Sequence, residues 1–281
     1  MTFRKALWAG EQSLSLAHIE ESKLDAWYLL AMICKIDKNY YYLHEEDELS
    51  EEQRLGYQTL IKKRAERIPL QYLTGEQEFM GFIFKVNSQV LIPRQDTETL
   101  VEEALKVIKP QMHVLDLCTG SGCIIISLAK LCPDIIASGA DLSKSVLLTA
   151  KENARLNDIK MEIEWIRSDL FDGVTGKFHM IVCNPPYIPT EEIEELQPEV
   201  RDFEPMEALD GREDGLFFYR KIVQQAPEYL NPLGYLYFEI GHNQAQPVSE
   251  LLQENHFTDI KVVKDLSGND RVVTATYIGE T

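Results

Sequence analysis

The stretch that decides the fold is Val114-Leu115-Asp116-Leu117-Cys118-Thr119-Gly120-Ser121-Gly122-Cys123, which joins an apolar strand to an apolar helix over residues 123–131. Glycines at such a junction let the backbone approach a ligand closely, and the first N–H groups of the helix can donate hydrogen bonds to it. Asp141 closes the next apolar run, 21 residues after Gly120, where an acid can accept from both hydroxyls of a ribose. The pattern predicts a nucleoside-containing ligand, with a purely structural tight turn as the alternative.

Three familiar ligand-binding loops do not fit this stretch. A dinucleotide fingerprint would place its third small residue at Ile125, which is too large for close packing against a pyrophosphate. The nucleophile elbow of a serine hydrolase needs glycine at position 119, where this chain has Thr119. The lysine of a phosphate-binding P-loop is absent. The remaining candidate ligand for this loop is a nucleoside without a pyrophosphate, and among such ligands S-adenosylmethionine fits the sequence best.

The pattern around the glycine loop predicts an α/β fold. Strands that alternate with helices favour a mostly parallel sheet covered on both faces. Residues 1–68 have a helical pattern instead, and residues 69–93 combine aromatic residues and glycines as in a β-hairpin, so the α/β domain is expected over 94–281. The predicted strands are 112–117, 135–140, 161–166, 178–183, 233–240, 257–263 and 271–278, and the predicted helices include 123–131, 143–156 and 243–254.

Two helix starts in the first 68 residues have capping signals. Ser22 is predicted as an N-cap with Asp25 three residues on, in front of an apolar stripe at helical spacing formed by Leu24, Trp27, Tyr28 and Ala31. Ser50 and Gln53 have the spacing of a capping box.

Composition limits the class of protein. The 281 residues include 46 acidic and 28 basic side chains, a net charge of −18, which opposes sequence-independent binding to a phosphate backbone. The five cysteines include no C-x-x-C pair, so neither a zinc site nor a disulfide framework is indicated. No apolar run reaches the roughly 18 residues of a membrane helix, and Glu11 interrupts the only N-terminal candidate for a signal. We therefore expect a cytoplasmic protein without a membrane partner.

A second motif, Asn184-Pro185-Pro186-Tyr187, follows the apolar strand 178–183. Ligands of open α/β sheets bind at this carboxyl edge. Two prolines stiffen the segment, and a residue before proline favours an extended backbone. A rigid amide oxygen and a backbone carbonyl can then accept both hydrogens of a planar –NH2 group, with Tyr187 as an apolar face. The alternative is a Pro-Pro turn with a surface asparagine, which the glycine loop 64 residues earlier disfavours.

These two motifs together resemble the class I methyltransferases that act on amino groups of amides and adenines. Within that class the chain resembles the peptide chain release factor glutamine methyltransferases over essentially its whole length. The other segments that carry the resemblance are Ile92-Pro93-Arg94-Gln95-Asp96-Thr97-Glu98, Arg201 through Pro205, Asp214-Gly215-Leu216 with Tyr219-Arg220, and Phe238-Glu239-Ile240-Gly241.

The resemblance implies a Rossmann-like S-adenosylmethionine-dependent methyltransferase with a mostly parallel seven-stranded sheet and a small all-helical N-terminal domain for substrate recognition. It implies transfer from S-adenosyl-L-methionine to the side-chain amide nitrogen of glutamine in the Gly-Gly-Gln motif of class 1 peptide chain release factors. S-adenosyl-L-homocysteine is the expected product. No metal and no direct binding of nucleic acid are expected.

The same resemblance assigns the site residues. Asn184 and Pro185 are the expected catalytic residues, because their oxygens would orient the acceptor amide and stabilise positive charge on its nitrogen. Substrate binding adds Pro186, Tyr187 and Arg94. The expected cofactor-binding set is Cys118, Thr119, Gly120, Ser121, Gly122, Cys123, Asp141, Asp169, Leu170 and Asn184, with Asp141 on the ribose and Asp169 and Leu170 near the adenine.

Some alternatives stay open at this point. The chain departs from the family at Cys118, where a glycine is usual, so its backbone is expected to avoid conformations open only to glycine. The competing functions are an adenine methyltransferase on DNA or RNA, a glutamine methyltransferase of a ribosomal protein, and a non-catalytic nucleoside-binding module. Residues 190–215 contain 11 acidic and two basic side chains, either as a solvated flank or as a surface that attracts a basic loop.

Overall fold

The computed structural model describes residues 1–279, which divide into two compact units. The first unit comprises Met1–Glu76 together with the short segment Gln197–Phe203. The second comprises Gln77–Leu196 and the described residues from Glu204 onward. The division into three parts expected from the sequence stays a prediction.

Five helices precede the first strand, and most of the later strands are separated by helices. The helices are α1 (Phe3–Leu16), α2 (Ser22–Cys34), α3 (Lys38–His44), α4 (Glu51–Ala65), α5 (Leu70–Thr74), α6 (Glu98–Leu105), α7 (Cys123–Leu131), α8 (Lys144–Leu156), α9 (Pro198–Arg201), α10 (Phe217–Tyr229) and α11 (Ala245–Glu254). The strands are β1 (Glu76–Phe79), β2 (Phe82–Lys85), β3 (His113–Leu117), β4 (Ile136–Asp141), β5 (Ile163–Arg167), β6 (Phe178–Cys183), β7 (Leu230–Glu239), β8 (Phe257–Lys264) and β9 (Asp270–Tyr277).

The start of α4 confirms the predicted capping box. Ser50 Oγ accepts a hydrogen bond from the backbone N–H of Gln53 at 3.1 Å, and Gln53 Oε1 accepts from the backbone N–H of Ser50 at 2.9 Å. Both donors belong to the helix end, where no intrahelical acceptor is available to them.

The prediction for α2 is wrong in two respects. Ser22 is the first helical residue and provides no side-chain cap, because the N-cap position belongs to Glu21. The expected apolar stripe is also on the wrong face, since Leu24 and Tyr28 are exposed. The residues that α2 buries are Asp25, Ala26, Leu29, Leu30 and Cys34. Asp25 is buried because it forms an ion pair of 2.7 Å with Arg64 of α4, a contact that local periodicity does not reveal.

The second unit is built on a seven-stranded sheet with the order β5-β4-β3-β6-β7-β9-β8. The first five of these strands run parallel to their neighbours, and β9 runs antiparallel to both β7 and β8. Because parallel strands end at the same edge, the segments that follow β3, β4, β5, β6 and β7 share one edge of the sheet. This confirms the predicted α/β fold with a mostly parallel sheet.

Residues 69–93 contain the predicted hairpin, formed by β1 and β2 around Met80 and Gly81. They also contain α5, a short helix at the place where only strands and turns were expected. Within residues 1–279, no helix has both the length and the apolar character needed to cross a membrane.

Candidate active site

The glycine loop begins where β3 ends, and three of its residues have a positive φ angle. The φ angles of Cys118, Gly120 and Gly122 are 62°, 57° and 80°. Beside Gly120 there is open space, because a Cβ placed there would meet no atom within 4 Å. A Cβ at Gly122 would come within 2.8 Å of Ile126, so this glycine allows the loop to pack against α7. The backbone of the loop is thus open to a ligand at Gly120, while Gly122 packs closely against α7.

The φ of Cys118 is 62°, in the left-handed region that favours glycine but that other residues can adopt. That its backbone avoids conformations open only to glycine stays a prediction. A side chain there costs about 1–2 kcal/mol. The loop therefore keeps the turn that a glycine would give, and the chain tolerates the strain.

The side chain of Asp116 holds the glycine loop in place by hydrogen bonds. Its Oδ2 accepts hydrogen bonds from the Thr119 hydroxyl at 2.6 Å and from the backbone N–H of Ile125 at 3.3 Å. Oδ1 has no hydrogen-bond partner within the described residues. Burial in these apolar surroundings raises the pKa of Asp116 to about 7. A single carboxyl thereby ties the loop to the first turn of α7.

Asp141, at the end of β4, lies directly beside the loop. Its Oδ2 accepts from the backbone N–H of Gly120 and its Oδ1 from that of Ser143, both at 3.0 Å. Burial raises the pKa of Asp141, and these two N–H donors lower it. Each carboxylate oxygen has a second lone pair. Asp141 can therefore accept further hydrogen bonds from a ligand on its open side.

The residues after β5 reach the same edge of the sheet. Leu170 is buried in one apolar cluster with Leu117, Ala140 and Cys183, which end or nearly end the neighbouring strands. The side chain of Asp169 is exposed. The structure therefore brings Leu170 close to the glycine loop and Asp141, while the carboxylate of Asp169 points into solvent.

The Asn-Pro-Pro-Tyr segment follows β6, which has the predicted bounds. Asn184 donates from Nδ2 to the Thr97 hydroxyl at 3.4 Å. Pro185 and Pro186 are buried. The Tyr187 hydroxyl donates to Glu239 Oε1 at 3.1 Å, and the Tyr187 carbonyl accepts from Gln244 Nε2 at 2.9 Å. Both ends of the segment are thus held by side chains from elsewhere in the chain.

Arg94 pairs with the carboxylate of Glu204, whose other oxygen accepts from the backbone N–H of Ile92 at 3.2 Å. The positive charge of Arg94 lowers the pKa of Tyr187, although burial raises that pKa more strongly. Arg94 is therefore close enough to Tyr187 to influence it electrostatically, and its proposed contact with substrate stays a prediction.

Several of the eleven acidic side chains of residues 190–215 form ion pairs with arginines. Glu199, Asp202, Glu204 and Asp210 each pair with an arginine, and Asp214 pairs with Arg220. The exposed acids are concentrated in the 3-10 helix Thr190–Glu195, directly after Tyr187.

Comparison with known proteins identifies the family. The PrmC N-terminal domain matches residues 5–75, and the methyltransferase small domain matches residues 95–197. A release factor glutamine methyltransferase of Geobacter sulfurreducens is 41% identical over 273 residues, which cover 97% of this chain and 95% of the relative. One of Thermodesulfovibrio yellowstonii is 42% identical, over 89% of this chain and 90% of the relative. The chain belongs to the release factor glutamine methyltransferase family. It is an enzyme that transfers methyl groups, and the family predicted from its motifs is confirmed.

A solved structure supports the fold of this methyltransferase. A methyltransferase from Pyrococcus furiosus superposes with a TM-score of 0.55 at 15% identity, over 78% of this chain and 100% of the other. At this identity the likeness concerns the fold alone.

Three residues of the methyltransferase site were not predicted: Thr97, Glu239 and Gln244. Thr97 and Glu239 lie in segments that carried the family resemblance, but the sequence assigned them no role. Gln244 buries its amide beside Tyr187 and also accepts from the Gly241 N–H at 2.9 Å. No short motif indicates the contacts of Thr97, Glu239 and Gln244 with the Asn-Pro-Pro-Tyr segment, because each joins residues that are far apart in the chain.

Proposed function

We propose that this methyltransferase transfers the methyl group of S-adenosyl-L-methionine to the side-chain amide nitrogen of glutamine in the Gly-Gly-Gln motif of class 1 peptide chain release factors. The observation that carries the proposal is a pair of adjacent acceptors. No residue of the described chain donates to Asn184 Oδ1 or to the Pro185 carbonyl. A primary amide presents two N–H donors on one nitrogen, and these two oxygens complement them.

The glycine loop fits the proposed methyl donor. The open space beside Gly120 allows a ligand to approach the backbone, and Asp141 retains lone pairs for the two hydroxyls of a ribose. Leu170 offers an apolar contact for an adenine. We assign Cys118–Cys123, Asp141, Asp169 and Leu170 to this ligand. When bound, S-adenosyl-L-methionine supplies an electrophilic methyl group on its sulfonium.

The protein's contribution to the reaction is to orient the acceptor. An amide nitrogen is a weak nucleophile because its lone pair is delocalised into the carbonyl. By accepting both N–H hydrogens, Asn184 Oδ1 and Pro185 O would hold the nitrogen in place and favour its pyramidal form. As positive charge develops on that nitrogen, both oxygens bind it more strongly than in the ground state, which lowers the barrier. The product amide can lose its extra proton to water, so no protein base is needed.

The recognition of a folded substrate is a separate part of the proposal. We assign it to the helical part, residues 1–68, which exposes the large apolar side chains Trp8, Leu16, Tyr42 and Leu43. Contiguous patches of exposed apolar side chains mark protein-binding surfaces, and we propose that these residues contribute to such a patch. Serine replacements of Trp8 and Leu43 should raise KM for intact release factor and leave activity on a Gly-Gly-Gln peptide unchanged.

The proposal is tested by incubating the full-length protein with a purified release factor and isotopically labelled methyl donor. Mass spectrometry should find one added methyl group, on the glutamine of Gly-Gly-Gln. Asn184→Ala should reduce transfer at least about 100-fold, as expected when a transition-state hydrogen bond is removed. Asn255→Ala, which changes an asparagine near the end of α11, serves as the matched control. Label on adenine in RNA or DNA, or on another protein glutamine instead, would refute the substrate assignment.

A further inference from the structure

The carboxyl group of Glu239 lies in a buried polar cluster to which the proposed reaction assigns no role. Glu239 is the last residue of β7, which pairs with β6 so that Phe238 is opposite Cys183. The residues that follow this pair, Glu239 at the end of β7 and Asn184 directly after β6, are therefore neighbours at the edge of the sheet. Only 1% of Glu239 is exposed.

Glu239 is linked to both functional side chains of the Asn-Pro-Pro-Tyr segment. The link to Tyr187 is direct, since the phenol donates to Glu239 Oε1 at 3.1 Å. The link to Asn184 passes through Thr97. The buried Thr97 hydroxyl accepts from Asn184 Nδ2 at 3.4 Å, and it lies close enough to the Glu239 carboxyl to lower its pKa. The second carboxyl oxygen, Glu239 Oε2, is buried and has no hydrogen-bond partner within residues 1–279.

The chemistry of these three groups indicates which of them donates and which accepts. An ionised carboxylate only accepts, and a hydroxyl has a single proton to donate. Because the Thr97 oxygen accepts from Asn184, its proton can point toward the unpartnered Oε2 of Glu239. Asn184 must then present its –NH2 to Thr97, which turns Oδ1 away from Thr97.

We infer that Glu239 is a positioning residue of the methyl-transfer site, which fixes through Thr97 the atom of the Asn184 amide that faces the acceptor and which holds the ring of Tyr187 directly. The inference rests on the proposed function, because Asn184 Oδ1 is the atom that would bind the acceptor amide. If the side-chain amide of Asn184 were reversed, its –NH2 group would face the –NH2 group of the acceptor amide, and no hydrogen bond could form between them.

Several groups act on the ionisation of the Glu239 carboxyl. Burial raises its pKa above the usual value, and the Thr97 hydroxyl, the positive charge of Arg271 and the Tyr187 hydroxyl offset part of this rise. Arg271 is itself held 3.2 Å from Asp96 and 3.2 Å from Asp265.

The main chain at Glu239 is anchored as well. The buried Tyr219 hydroxyl donates to the Glu239 carbonyl at 2.8 Å. The cluster therefore has a fixed backbone as well as a nearby positive charge, and its side chains have little freedom to rearrange.

Substitutions that change hydrogen-bond direction at nearly constant size test the inference. E239Q replaces one acceptor oxygen with an –NH2 group, so either the Thr97 or the Tyr187 hydroxyl must reverse or lose its partner. Thr97→Val removes the hydroxyl, and Thr97→Ser retains it. Glu98→Gln is the control, because this neighbouring carboxyl accepts from the Met80 N–H at 2.6 Å, outside the cluster.

We expect E239Q and Thr97→Val to lower kcat on intact release factor about 100-fold, the usual effect of misplacing a transition-state hydrogen bond. KM and the affinity for S-adenosyl-L-methionine should change little. Thr97→Ser and Glu98→Gln should retain kcat. Near-normal kcat in E239Q and Thr97→Val would overturn the inference. An equal loss of kcat and donor affinity that Thr97→Ser does not rescue would indicate only a structural role and would also overturn it.

A spectroscopic measurement tests the inference independently of the reaction. The side-chain –NH2 signal of Asn184, assigned in asparagine-labelled protein by its absence in Asn184→Ala, should shift in both E239Q and Thr97→Val but not in Glu98→Gln. An unchanged signal would refute the link from Glu239 through Thr97. If the wild-type protein methylates no release factor, the proposed function fails, and this measurement still decides whether Glu239 orients Asn184.

Discussion

Asp116→Asn should change how the stability of this methyltransferase depends on pH. The pKa of the buried Asp116 is about 7 in the folded protein, against a usual value of 3.8. The folded state thus binds a proton more tightly than the unfolded state, and the contribution of this group to stability is greatest below pH 3.8. That contribution is lost as the pH rises toward 7 and then levels off. For these two pKa values, wild type should lose about 2 kcal/mol between about pH 5.5 and about pH 8.5 through this group.

The assay is urea unfolding of wild type and Asp116→Asn at several pH values across that range. The substituted amide keeps an oxygen for the donors Thr119 and Ile125 but cannot titrate. Asp141 and Glu239, whose pKa values are also raised by burial, are present in both proteins, so most of their effect cancels in the difference; the charge of Asp141 additionally contributes to the raised pKa of Asp116. The variant should therefore gain about 2 kcal/mol relative to wild type from the acidic to the alkaline end. Parallel stability curves would refute the reasoning that Asp116 is buried with a raised pKa.

Three further predictions concern stability and the support of the site. Because Cys118 has a φ of 62°, Cys118→Gly should be more stable than Cys118→Ala by about 0.5–1 kcal/mol in urea unfolding, the reverse of the order at ordinary positions. Arg64→Met leaves the buried carboxylate of Asp25 without its counter-charge, while Glu199 keeps Arg67, and should destabilise the helical unit by about 3–5 kcal/mol; Arg54→Met on the same helix should change little in thermal unfolding. Gly215→Ala should lower both stability and methyl transfer, because its new Cβ would meet a backbone carbonyl, whereas Gly176→Ala, with a similar φ but open space, should show only the backbone strain.

The parallel strands were the easiest part of the fold to predict. A strand covered on both faces is a nearly continuous apolar run, and β6 accordingly has the bounds that its sequence indicates. Helix faces in the first unit were harder. α2 is apolar around most of its circumference, so periodicity could not show which side is buried. Its orientation depends on tertiary contacts such as the ion pair between Asp25 and Arg64, which are separated by 39 positions.

The residues of the candidate site also differ in whether local sequence or tertiary contacts reveal them. The glycine loop, Asp141 and Asn184 were predicted because each follows a strand and has a side chain or backbone suited to its chemistry. Thr97 and Glu239 gave no such signal. Their relation to Asn184 depends on the register of β6 against β7, and that register is a property of the assembled sheet.

The two prolines explain why the site needs this external support. Pro185 and Pro186 have no backbone N–H, so the segment cannot anchor itself through a conventional turn or a ladder of hydrogen bonds. Its position must come from groups that reach it from outside. Gln244 holds the Tyr187 carbonyl, Glu239 holds the Tyr187 hydroxyl, and close backbone contact at Gly215 leaves no room for displacement. Distant side chains thus supply the rigidity that the proposed orientation of an acceptor amide requires. A substitution at Gln244 or Glu239 should therefore impair methyl transfer even though neither residue belongs to the motif.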